Sequence, residues 1–159
     1  VITLNEDLSM RQPLRQKNRL VFVLWGAAFD EAVATRFVSE LRDAGIGVKI
    51  VGLAGRFALG RRRVAIGIDL TLEEALALSC EVDCLILPCE ARVLQEAEND
   101  PRLVRLYQQV QRGGGFFVAR DLAVFSGSHL REVAAPADFC LYGGRSLSLC
   151  VDEVVMGLS

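Results

Sequence analysis

Several things are scarce in this sequence, and each scarcity excludes something. It has one histidine, His129, and its cysteines, Cys80, Cys84, Cys89, Cys140 and Cys150, fall at spacings that match no zinc pattern. A tetrahedral metal site would be short of ligands, so no metal and no cofactor are expected. No apolar run is long enough to span a bilayer. The first eighteen residues lack the apolar middle of a secretory signal. With no secretory signal, an odd number of cysteines points to reduced thiols and a cytoplasmic protein. There is also no surplus of positive charge: the formal net charge is -2. Arg61, Arg62 and Arg63 form one basic cluster without flanking aromatics, which reads as a solvated turn and not as a nucleic-acid surface.

What is present is apolar and periodic. The chain has 159 residues, 52% of them hydrophobic, enough for one domain with a full core. Residues 1–18 are polar, contain Pro13, and read as an N-terminal arm; residues 19–159 read as the domain. Leu20 to Trp25, Val48 to Val51, Val82 to Pro88 and Phe116 to Ala119 are short apolar runs of the kind buried on both faces of a parallel sheet. Arg63 to Ile68 reads as a short strand nearer an edge, after a glycine-punctuated loop from Gly52 to Gly60. Phe139 to Tyr142 is the expected last strand.

Helices are expected between these runs. Asp30 is a suitable N-cap, and Val33, Phe37, Leu41 and Ala44 recur at helical spacing up to Gly45. Thr71 and Glu74 spell a capping box for a short helix ending near Ser79. Asp100-Pro101 opens another, with Leu103, Val104, Tyr107 and Val110 on its apolar face. Leu122 to Leu130 reads as a short helix. Ser146 to Met156 reads as the closing one, with Leu147, Cys150, Val151, Val154 and Val155 turned inward. Strands alternating with helices make a three-layer α/β sandwich around a mostly parallel sheet.

Chemistry in such sheets gathers at the carboxyl ends of the strands. The stretch from Gly113 to Phe125 leads from three glycines through a buried strand to Arg120 and Asp121. A strand-to-helix elbow there is the usual perch for a nucleophile, and this one carries an acid where a Ser or Cys would stand. Asp121 as a carboxylate nucleophile needs an acid and an oxyanion cradle, and a negative Glu90 beside it opposes developing negative charge. The alternative is that an arginine, Arg120 or another, neutralises Asp121 in a structural salt bridge. Cys89 lies at a strand's carboxyl end, but Glu90 beside it raises its pKa. Trp25 ends the first strand beside this corner, where it packs or lines a ligand site.

Residues in series resemble the ThiJ/PfpI superfamily, whose flavodoxin-like fold is shared with class I glutamine amidotransferases. Ala44-Gly45-Ile46 and Val51 to Gly55 are similar to its first helix end, second strand and turn. Asp69 to Ala75 resembles its short capped helix, Asp83 to Pro88 its strand into the oxyanion loop, and Gly114 to Ala119 its strand into the elbow. The likeness runs over roughly Arg19 to Ser159.

The departures fall on that family's chemistry. Its elbow cysteine corresponds to Asp121, preceded by Arg120. Its helix-borne glutamate corresponds to Val33 without a gap, or to Glu31 with one. Its oxyanion glycines correspond to Cys89 and Glu90, and its histidine has no counterpart. No catalytic residue is therefore expected; the degenerate positions are Asp121, Cys89, Glu90 and Val33, and candidate ligand contacts are Trp25, Glu31, Glu90, Arg120 and Asp121. The resemblance implies a silent binding, regulatory or assembly domain, a homodimer that takes a small molecule or a protein partner. The competing expectation is a hydrolase or glyoxalase-type enzyme using Asp121, Glu90 or Cys89.

Overall fold

The computed structural model describes residues 19–159, so the N-terminal arm expected over residues 1–18 lies outside the described residues. The first strand, β1 (Leu20–Trp25), has no exposed surface from Val21 onward. Helix α1 (Glu31–Asp43) follows, capped by the Asp30 carboxylate, which accepts from the Val33 amide at 3.2 Å. It buries Val33, Phe37, Val38 and Leu41 on one face, the 3.6-residue spacing seen in the sequence. β2 (Gly47–Gly52) then runs parallel to β1.

Beyond β2 the chain leaves the sheet. The loop expected over 52–60 contains a strand, β3 (Phe57–Leu59), which pairs antiparallel with β4 (Ala65–Gly67). The run around Arg63 to Ile68 is thus part of a separate two-stranded ribbon and not an edge of the main sheet. The edge is β5 (Leu70–Thr71), two residues that the sequence reading passed over. Thr71 and Glu74 form the expected reciprocal cap of α2 (Leu72–Leu78).

β6 (Cys84–Leu87) is buried throughout and pairs with β1. A helix the sequence reading also passed over, α3 (Ala91–Ala97), precedes α4 (Pro101–Arg112). β7 (Phe116–Ala119) enters through Gly114, whose φ of +81° favours glycine. The single helix expected over 122–130 is two, α5 (Leu122–Ser126) and α6 (Leu130–Val133), divided around Gly127. β8 (Phe139–Leu141) and α7 (Leu147–Gly157) complete the chain.

The six strands lie in the order β5-β2-β1-β6-β7-β8, and every neighbouring pair is parallel. Without the short edge strand this is the flavodoxin-like order, which reverses direction at β1. α1 packs against α7 and α2 against α4, and the reversal puts those pairs on opposite faces of the sheet. Burial of each large side chain such as Phe22, Phe37 or Leu85 contributes about 1.5–3 kcal/mol.

One buried charge is built into the second layer. The Glu98 carboxylate accepts from Tyr107 Oη at 2.9 Å, from the His129 amide at 3.3 Å, and from Ser128 Oγ. It ties α4 to the α5–α6 turn, and the Ser128 hydroxyl in turn accepts from the Leu130 amide. Burial and the adjacent carboxylate push the Tyr107 phenol well above its ordinary pKa, so Tyr107 is a permanent donor here.

Candidate functional site: the corner at the carboxyl ends of β1, β6 and β7

The reversal point between β1 and β6 is where open sheets of this kind leave a crevice. Here the crevice is bridged by backbone: the Asp30 amide donates to the Pro88 carbonyl at 2.8 Å. Ala28, at a φ of +67°, donates to Leu59 and so holds the β3–β4 hairpin over the same corner. The space left, bounded by Ala28, Asp30, Arg61, Cys89, Glu90 and Arg120, together with Tyr142, is about 10 Å³. That is room for no more than a single water.

Three carboxylates and three guanidinium groups share this corner. Arg61 Nη1 lies 3.7 Å from Asp30 Oδ2 and 3.6 Å from Glu90 Oε1. Arg62 Nη1 lies 3.5 Å from Asp30 Oδ1. Arg120 Nη1 lies 3.3 Å from Glu90 Oε1, and its Nε lies 3.7 Å from Asp121 Oδ2. The basic cluster at 61–63 is therefore in a turn, as expected, yet Arg61 and Arg62 are drawn into the corner instead of standing alone in solvent.

Asp121 is half exposed and occupied as a helix cap: its Oδ1 accepts from the Val124 amide at 3.2 Å. Its φ of −158° is ordinary extended backbone, and among the described residues only Ala28 and Arg63 carry a positive φ without being glycine. The strained turn that lifts a nucleophile out of a strand is absent at Arg120 and Asp121. Gly143 closes the far side, its amide donating to the Arg120 carbonyl at 2.8 Å. A Cβ there would stand 2.5 Å from that carbonyl oxygen, so only glycine allows the approach.

Cys89 is the thiol nearest the corner, and it is 2% exposed. Burial, then the carboxylates of Glu98 and Glu90, push its pKa far above the ordinary thiol value. Its backbone amide donates to the Leu87 carbonyl at 2.9 Å, which leaves that donor unavailable to an oxyanion. Tyr142 walls the corner on the β8 side, stacked edge-on against Phe37 at 6.0 Å. Burial keeps its phenol protonated too.

The structure thus gathers Cys89, Glu90, Arg120 and Asp121 in one place and puts the other sequence candidates elsewhere. Val33 is in the apolar face of α1. Glu31 is buried beneath the hairpin turn, where its carboxylate accepts from the amides of Arg62 at 2.9 Å and Val64 at 3.0 Å. Burial works to raise the Glu31 pKa, but those amides and the Arg62 charge outweigh it and hold the carboxyl below its ordinary value. Trp25 has no exposed surface, donates from Nε1 to the Ala58 carbonyl at 3.1 Å, and packs edge-on against Phe29. It floors a different cleft of about 340 Å³, beside Ala34, Val38, Arg42, Ile50 and Ile66.

Asp30, Arg61 and Tyr142 belong to the corner and were missed as site residues. Asp30 was visible only as a cap. Arg61 and Tyr142 arrive from the hairpin and from beyond β8, and only the tertiary fold brings them in. Among the described residues, no group of three or more His, Cys, Asp or Glu side chains is arranged to hold a metal ion, and no helix is long and apolar enough to cross a membrane.

No protein-family model matches the sequence, and no curated protein matches it by sequence. Solved structures do match by shape. A candidate protease I from Bacteroides thetaiotaomicron aligns with a TM-score of 0.72 at 12% identity, over 89% of this chain and 99% of that one. Drosophila melanogaster DJ-1beta gives 0.68 at 17% identity, over 89% and 90% of the two chains. A ThiJ/PfpI domain protein from Brachyspira murdochii gives 0.64 at 15% identity, over 90% and 96%. Over some nine tenths of its length the chain has the fold of the DJ-1/ThiJ/PfpI superfamily.

Proposed function

We propose that this chain is a ThiJ/PfpI-type domain that has given up the chemistry of the strand-end corner and works by binding, as a homodimeric regulatory or assembly module in the cytoplasm. The observation that carries the reading is the filled corner: opposed charges occupy it and leave about 10 Å³. Catalysis at an elbow needs a nucleophile of usable pKa, free donors for an oxyanion, and space for substrate. Cys89 has a raised pKa and is buried, its amide is spent, and the space is gone.

Two further features favour binding. The β3–β4 hairpin exposes Phe57, Leu59 and Val64 at 71%, 46% and 52%, an apolar cluster of the kind that marks an interface. The cleft over Trp25, unlike the corner, has the volume of a small-molecule site.

The test is turnover. The purified protein is incubated with glyoxals and small esters alongside Asp121→Asn, and a metabolite panel is screened by thermal shift, where a bound ligand raises Tm. No turnover above buffer, with a ligand that raises Tm, is the expected result. Turnover that disappears in Asp121→Asn would show instead an enzyme with a reshaped site.

A further inference from the structure

Away from the corner, two cysteines face each other across the last strand and the last helix. Cys140 sits in β8 and Cys150 in α7, and their sulfurs are 3.3 Å apart. Cys140 is partly exposed while Cys150 is buried. Cys140 Sγ also lies 3.3 Å from Glu153 Oε2, and Arg145 holds Glu153 with an ion pair of 2.7 Å. A surface pocket of about 240 Å³, bounded by Phe116, Phe139, Cys140, Glu153 and Gly157, opens onto Cys140.

We propose that Cys140 and Cys150 are a reversible dithiol–disulfide site, oxidised by a small hydroperoxide that enters through this pocket. A disulfide needs its sulfurs at about 2.05 Å, so each need move by well under 1 Å, a distance within side-chain rotation. The accessible sulfur reacts first. As Cys140 Sγ attacks the terminal peroxide oxygen, its proton passes to the Glu153 carboxylate and on to the departing oxygen. The O–O bond breaks, an alcohol or water leaves, and Cys140 becomes a sulfenic acid.

Cys150 then attacks that sulfur: the S–S bond forms, the S–O bond breaks, and water leaves with the Cys150 proton. Two thiols and one hydroperoxide give one disulfide, one alcohol (or water) and one water. Contact with the Cys140 thiol and the Arg145 charge, opposed by burial and by the Glu153 carboxylate, lower the Cys150 pKa, which suits it to the second attack. Contact with Cys150, burial and the Glu153 carboxylate raise that of Cys140. The first step is accordingly the slower one. The bond joins β8 to α7 and closes a short loop, constraining the carboxyl-terminal segment.

The test uses the whole chain carrying Cys80→Ser, which removes an exposed competing thiol. The reduced protein is treated with hydrogen peroxide, alkylated, and mapped by mass spectrometry. The expected product is a linked peptide pair containing Cys140 and Cys150, lost on treatment with dithiothreitol, with a higher Tm for the oxidised form. In Cys150→Ser, Cys140 should stop at a sulfenic acid trapped by dimedone. The proposal fails if peroxide-treated protein, alkylated after quenching and unfolding, carries the label on both sulfurs, or if Cys150 is found linked to Cys84. It fails equally if the fate of Cys140 is the same with and without Cys150.

Discussion

Arg120 Nη1 stands 3.3 Å from Glu90 Oε1, a contact between the residue after β7 and the residue before α3. It bridges the two strand ends between which a substrate would have to enter, and Cys89 lies behind it. Both side chains are close to half exposed, so the pair is screened and worth at most about 1 kcal/mol. Its consequence is steric more than energetic.

Arg120→Ala should therefore leave stability within about 1 kcal/mol and make Cys89 easier to reach. Timed labelling with a thiol reagent and peptide mapping checks this. In the parent protein Cys80, which is exposed, should label first and Cys89 only on unfolding. Cys89 labelling as fast as Cys80 in the folded parent would contradict a closed corner.

Glu31 gives a pH dependence whose sign can be worked out. Its folded pKa lies below the unfolded glutamate value of about 4.3. The carboxylate therefore stabilises the fold at all pH above that value, and the contribution is lost as pH falls through the folded pKa. Glu74 and Glu153 are shifted in the same direction, the first by the Thr71 amide and hydroxyl, the second by Arg145 and the Cys140 thiol. Denaturation midpoints should be flat from pH 7 to 5 and fall below it. Glu31→Gln should start lower at pH 7 and lose less on acidification.

The hairpin tests the assembly reading. Phe57 and Leu59 are exposed, so serine at both costs little in the fold, within about 0.5 kcal/mol per site. If copies of the chain meet through this ribbon, the double variant should sediment as a monomer at concentrations where the parent sediments as a dimer. An unchanged sedimentation coefficient would exclude the hairpin from the interface.

Much of the frame was legible because it follows local rules. β1, β6 and β7 are apolar runs, and Asp30, Thr71 and Asp100 cap the helices their side chains announce. What was not legible depended on partners distant in sequence. α3 has a short apolar stripe and no cap hydrogen bond from Glu90, so nothing local announces its start. β3 and β4 are three residues each and are strands only because they pair with one another. Cys89, Glu90, Arg120 and Asp121 could be placed at strand ends, but the ion pair of Glu90 with Arg61 and the closure by Tyr142 come from other loops. Cys150 reads singly as a thiol on the inner side of the last helix, and its contact with Cys140 exists only once β8 and α7 pack.

Tyr107 and Glu98 allow a last test, of the buried polar network. The Tyr107 hydroxyl donates to a carboxylate that is 8% exposed, and Ser128 and the His129 amide complete its shell. Tyr107→Phe preserves the ring, which packs edge-on against Phe117, and removes only the donor. A buried carboxylate that loses one partner costs about 1–3 kcal/mol, more than a surface bond would. Urea midpoints of the two proteins at pH 7.5 measure it, and equal midpoints would mean that the hydroxyl contributes nothing beyond the packing of its ring.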